Sequence, residues 1–117
     1  MIYAINIFCE PTTPASSIAA RFTKQVISEG HGVYRLFFYG DGVSNLLQRE
    51  NPLASIWSEL ITQHNIDAVA CVSSLNARHP GADSAQPETL IPNISVSGLG
   101  QYIDSLLQAD RVINFGG

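Results

Sequence analysis

Five short apolar runs, separated by amphipathic segments that carry their own start and stop signals, constrain this chain more than any other feature. The runs cover 2–8, 33–39, 68–72, 93–96 and 111–115. The first three are apolar nearly throughout, as strands buried on both faces of a parallel sheet must be. Between the first two, Thr13-Pro14 predicts an N-cap and first helical residue. Ile18, Ala19, Phe22, Val26 and Ile27 then fall on one helical face, and Gly30 ends the helix. After the second run, Gly40-Asp41-Gly42 predicts a loop and 43–48 a short helix. Asn51-Pro52 opens the next helix, with Leu53, Ile56, Trp57, Leu60 and Ile61 as its buried face and Asn65 as its left-handed end. A further helix opens at Ser73 or Ser74, and Ser97 caps a last one carrying Leu99, Tyr102, Ile103, Leu106 and Leu107 on one side.

Strand alternating with helix, five strands in all, predicts an α/β fold. The expected form is a mostly parallel five-stranded sheet in a three-layer α/β/α sandwich. At 117 residues the whole chain, 1–117, is one domain. Residues 79–92 break the pattern. Their prolines, glycine and small polar residues predict a loop that lies over the neighbouring site as a lid or reaches a partner.

Charge and composition exclude several functions. The chain is 45% hydrophobic but only 14% charged, so it is either well buried or partly covered by partners. Its net charge is -4 and its six cations are scattered, which argues against direct nucleic-acid binding. No apolar run is long enough for a membrane span, and 1–8 has no basic opening of a secretory signal, so a cytoplasmic location is expected. Cys9 and Cys71 with three dispersed histidines make neither a disulfide framework nor a metal motif.

In folds of this kind, chemistry gathers at the carboxyl ends of the strands. Cys9, Asp41, Cys71 and Ser97 all fall at such ends. Cys71 is the strongest candidate. A cysteine between a strand and a helix N-terminus lies where amide N–H groups and the macrodipole favour thiolate, the reactive form of the side chain. Its plain alternative is a small apolar filler in a core strand. Cys9 would exchange with Cys71 through a disulfide if the first and third strands were neighbours; otherwise it is an ordinary loop cysteine. Asp41 either orients a cationic group near Cys71 or bonds its own turn. Arg78 and His79, just past the Cys71 helix, either stabilise a sulfur anion or are solvated surface. Ser97-Gly-Leu-Gly100 carries part of a phosphate-cradling loop but lacks the full glycine fingerprint and its acidic residue.

Three stretches taken together resemble one family. They are Phe37-Phe-Tyr-Gly-Asp-Gly-Val43, Ala70-Cys-Val72 with Arg78 downstream, and Ser97-Gly-Leu-Gly-Gln with Ala109-Asp-Arg-Val-Ile-Asn-Phe-Gly116. In order and spacing the chain resembles the DsrE/TusD sulfurtransferases over nearly its whole length. The resemblance implies a DsrE-like sandwich and Cys71 as the cysteine that carries sulfur as a persulfide, with no cofactor. It also implies an oligomer and partners. These are TusB/TusC-like or DsrF/DsrH-like sibling subunits, a TusA-like sulfur donor, and a TusE-like or DsrC-like acceptor. The sulfur would go towards tRNA 2-thiouridine or through sulfur oxidation. Only one arginine, Arg78, stands where the family commonly has two. Phe37, Phe38, Tyr39 and the loop from His79 are candidates for the docking surface. The competing readings are a non-catalytic scaffold subunit or small-ligand binder of the same fold, and a self-standing homo-oligomer.

Overall fold

The computed structural model describes residues 1–48, 51–82 and 90–116. Five strands alternate with four helices: β1 (Ile2–Ile7), α1 (Pro14–Ser28), β2 (Gly32–Phe38), α2 (Pro52–His64), β3 (Ala68–Cys71), α3 (Val72–Arg78), β4 (Ile94–Ser97), α4 (Leu99–Gln108) and β5 (Arg111–Phe115). A 3-10 segment, Gly40–Leu46, follows β2. It begins at the Gly-Asp-Gly turn itself, so the expected loop and short helix are one tighter element.

The strands form one sheet in the order β4-β3-β2-β1-β5, and every adjacent pair is parallel. From β1 to β4 the chain steps in one direction, and right-handed crossovers put α1, α2 and α3 on the same face. It then returns across the sheet to β5, which puts α4 on the other face. The result is the expected three-layer sandwich.

Helix ends follow their local chemistry. Gly30 takes φ +87° after α1, and His31 and Gly30 donate backbone N–H groups to Val26 and Ile27, a Schellman ending. Asn51 accepts from Leu53 N–H at the start of α2, and Asn65 is left-handed at its end, φ 51°. Ser97 departs from expectation. It is the last residue of β4, and Gly98 stands at the N-cap of α4 without a side-chain bond.

The two faces of the sheet differ in kind. Ile5, Ile7, Leu36, Phe38, Ala68 and Ala70 point to the first face and build the main core with Ala19, Ala20, Trp57, Leu60, Ile61 and Leu75. Ile56, expected in a buried face, is about half exposed, and so is Ile18, which shares its predicted face with the buried Ala19 and Val26. The second face has a small apolar cluster, Phe37, Val69 and Cys71, with Tyr102 of α4 packed against it. Asn6 also points to this face, fully buried, and donates to Asn114 Oδ1 of β5 at 2.8 Å.

Helix α4 turns its apolar side outward in the single chain. Leu99, Ile103, Leu106 and Leu107, expected to share one face, do share it, and they are 50, 55, 41 and 76% exposed, while Ser105 is buried. Periodicity shows that residues share a face; it does not show that the face meets the same chain. The buried side is instead fastened by Arg35 of β2. Its Nη1 donates to Gln101 O (2.9 Å), Asp104 Oδ2 (3.0 Å) and Ser105 Oγ (3.2 Å), and its Nε to Asp67 Oδ2 (2.8 Å). Tyr34 Oη adds a bond to Asp104 at 2.7 Å.

Arg35→Met should therefore cost about 2 kcal/mol, discounted because both carboxylates are partly solvated. Urea unfolding measures the loss, and faster amide exchange in α4 should accompany it. The pH dependence has a definite sign. The Tyr34 hydrogen bond, and then Arg35, hold the Asp104 carboxyl below the ordinary aspartate range. A depressed folded value contributes stability above the unfolded pKa, and that contribution is lost as pH falls through the folded one. Arg35→Met should thus lose less stability than wild type on acidification below about pH 4. An equal acid slope in the two proteins would remove Arg35 from the network.

Candidate functional site

The carboxyl edge of the sheet assembles the predicted residues unevenly. Cys71 is the last residue of β3, paired with Ser97 of β4, and the N-cap of α3. The helix thus starts one or two residues earlier than the serines suggest. The strand alternation that sends Ala70 into the main core sends Cys71 to the α4 face. Its side chain makes no hydrogen bond to the first turn of α3. It lies among Phe37, Val69 and Tyr102, and the residue is only 2% exposed. The expected position is therefore present, and the expected openness is not present in the single chain.

Cys9 does not approach Cys71. Strand β2 lies between β1 and β3. Cys9 packs instead beside the main core on the opposite face, with its Sγ 3.2 Å from Ser16 Oγ. Both cysteines are free. Strand order is set by crossovers between distant segments, so local sequence does not show it.

Asp41 and Arg78 do come together. Arg78 Nε donates to Asp41 Oδ1 at 2.8 Å, with both side chains partly solvated. Arg78 is itself the last residue of α3, at the end away from Cys71, so Asp41 holds a cation at the far end of that helix rather than at the thiol, and that cation is committed to the carboxylate. Two further bonds, not foreseen from sequence, join the same elements. Gly40 N–H donates to Ser74 Oγ at 2.9 Å, and Ser44 Oγ lies 2.8 Å from His79 Nε2. These contacts tie the 3-10 segment to α3 along its length. The only sequence signal for them is Ser44 on the 3-10 segment and the Ser73-Ser74 pair on α3.

The docking surface also differs from expectation. Phe37 and Phe38 are fully buried, one on each face of the sheet, because β2 is a central strand. Tyr39 alone of the three is exposed. It forms an apolar cavity of about 470 Å³ with Phe8, Leu99, Tyr102 and Ile103. Aromatic rings link this cavity to the Cys71 cluster. Phe8 meets Tyr39 edge-on at 5.9 Å, Tyr39 stacks on Phe37 at 6.5 Å, and Phe37 meets Tyr102 at 5.5 Å. Of the expected 79–92 loop, 83–89 lie outside the described residues. Leu90 bridges back to Leu47, and Ile91 N–H donates to Leu46 O.

Among the described residues no three His, Cys, Asp or Glu side chains gather as a metal site, and no helix is long and apolar enough to cross a membrane.

Comparison with known proteins covers the whole fold. The model of the DsrE/DsrF-like family matches residues 2–115. A protein of Pseudomonas aeruginosa named sulfurtransferase TusD homolog is 37% identical over 100% of this chain and 98% of its own. A protein of Allochromatium vinosum, named as a candidate sulfurtransferase DsrE, is 32% identical over 87% of this chain and 88% of its own. In three dimensions the crystal structure of the ychN protein from E. coli superposes with a TM-score of 0.78, covering 97% of each chain. It is 19% identical, a likeness of fold.

Proposed function

The chain belongs to the DsrE/DsrF-like family, and we propose that it is a sulfur-relay protein in which Cys71 carries the sulfur as a persulfide. One observation carries the reading. Cys71 ends β3 at the carboxyl edge of the sheet, in a chain similar along its whole length to a TusD-named sulfurtransferase. Cys9, the other thiol, is on the opposite face.

The chemistry is thiol exchange. The Cys71 thiolate attacks the outer sulfur of a donor persulfide. A Cys71 S–S bond forms, the donor S–S bond breaks, and the electron pair leaves with the donor thiolate. An acceptor thiolate repeats the step on Cys71–S–SH and regenerates the Cys71 thiolate. Sulfur keeps its oxidation level throughout, and no outside oxidant or reductant enters. The Asp41–Arg78 pair fixes the 3-10 segment against α3 and so holds the strand end that carries Cys71.

The partners we propose are sibling subunits of TusB/TusC or DsrF/DsrH type, a TusA-like donor, and a TusE-like or DsrC-like acceptor. The outward apolar side of α4 supports assembly: four large hydrophobic residues on one helix need a cover. The cytoplasm suits a protein whose working thiol must stay reduced. The pathway would be tRNA 2-thiouridine formation or sulfur oxidation.

Intact-mass measurement tests the carrier role. After incubation with cysteine, a cysteine desulfurase and a TusA-like carrier, wild type should gain about 32 Da, one sulfur atom. Cys71→Ser should gain none, and Cys9→Ser should load as wild type does. Loading that is equal with and without Cys71 overturns the assignment. The burial of Cys71 favours a second reading, a scaffold subunit in which the thiol only packs. That reading gains if wild type never loads even when its siblings are present.

A further inference from the structure

We propose that Tyr102 is the positioning residue that closes and opens the Cys71 thiol, using the adjoining cavity as the space its ring moves into. The proposal rests on the persulfide reading above, because it explains how a buried sulfur serves as a carrier.

Two independent observations meet here. Cys71 is 2% exposed, and of the side chains clustered around it Phe37 and Val69 belong to central strands and are themselves buried. Neither can move without opening the sheet. Tyr102 is the one partly exposed member, and it belongs to a helix. The second observation is the cavity. Tyr102 lines it together with Phe8, Tyr39, Leu99 and Ile103, around a volume of about 470 Å³. Among the described residues no hydrogen bond holds the Tyr102 hydroxyl, whereas the neighbouring Tyr34 is fixed to Asp104. A change of side-chain rotamer carries the Tyr102 ring off Phe37 towards Tyr39, into a space already lined with aromatic surface. The backbone of α4 stays in place, because Arg35 bonds Gln101 O on the sheet side of the helix. The movement is then a side-chain event of low cost rather than a local unfolding.

Thiol alkylation of the full chain, read for each cysteine by mass spectrometry, tests the proposal without any sulfur chemistry. Wild-type Cys71 should react measurably under native conditions, but at least roughly tenfold more slowly than in the unfolded chain. Low urea should leave that rate unchanged, because a rotamer change exposes little surface. Tyr102→Ala should raise the rate by roughly tenfold or more, while Tyr102→Phe keeps the wild-type rate, since shielding needs the ring and not the hydroxyl. Circular dichroism and unchanged Cys9 labelling confirm that the variants are folded. An unaccelerated Tyr102→Ala overturns the proposal. So does a wild-type Cys71 that reacts as fast as in the unfolded chain, or only as fast as the whole protein unfolds. Should Tyr102→Ala not fold, the urea dependence of wild type decides alone. An opened Tyr102→Ala thiol that still takes no sulfur from the donor would sink the persulfide reading and leave the gate standing.

Discussion

Trp57→Ala should lower the unfolding free energy by about 3–5 kcal/mol, a large share of what a domain of this size has. Trp57 is completely buried in the middle of α2 and is the chain's only tryptophan. Its ring meets Phe38 edge-on, 5.3 Å between centroids and 89° between planes. Its indole N–H points at Asn45 Oδ1, 3.4 Å away. Asn45 in turn donates to Cys9 O and Gly42 O, both at 2.9 Å, so the indole supports the loops at the carboxyl ends of β1 and β2. Truncation leaves a cavity in the largest core and takes the indole donor away from the buried Asn45 Oδ1. Because the variant loses the fluorescence probe, denaturation should be followed by circular dichroism. The midpoint should fall with little change in slope. Trp57→Phe keeps the ring packing and should cost clearly less. A loss below about 1 kcal/mol for Trp57→Ala would mean that the core closes over the gap.

What could be read from the sequence was what local chemistry decides. Pro14, Gly30, Asn51-Pro52 and Asn65 each marked a helix end, and each stands at that end because backbone geometry there depends on one or two residues. The strands were legible for a similar reason: an apolar run too short for a helix has few other uses. The position of Cys71 at a strand end followed from both. Its burial did not. Which residues of α4 face the sheet depends on Arg35, more than sixty residues away in sequence. A helix with its apolar side outward has the same periodicity as one with it inward. Phe37, Phe38 and Tyr39 looked like one exposed patch, but a central strand buries alternate residues on opposite faces. The separation of Cys9 from Cys71 likewise follows from strand order.

The second large effect should come from the smallest substitution. Gly42 lies in the 3-10 segment where it crosses the end of β1. A Cβ built there would sit 1.9 Å from Ile7 O and 2.7 Å from the Ile7 carbonyl carbon, both backbone atoms. Its φ is unremarkable, so the requirement is space rather than backbone freedom. The obstacle cannot yield: Ile7 pairs with Phe38 on one side and Phe115 on the other, and its carbonyl accepts from Tyr39 N–H at 3.0 Å. The 3-10 segment must move instead. That strains the Gly40–Ser74 bond, the Asp41–Arg78 pair and the Asn45 contacts together, since all hang on the same seven residues. Gly42→Ala should cost about 3 kcal/mol or more, above the usual range for one added methyl. Gly100→Ala is the control. Nothing lies within 4 Å of its Cβ, and it sits inside α4, where alanine should be neutral or stabilising by about 0.5 kcal/mol. Thermal unfolding of the pair reads the contrast directly. The functional consequence should run through α3. With its three ties to the 3-10 segment loosened, Gly42→Ala should load sulfur on Cys71 less completely than Gly100→Ala at a temperature where both are folded. Equal stability and equal loading of the two variants would mean that the segment is not what holds the Cys71 end of the sheet in place.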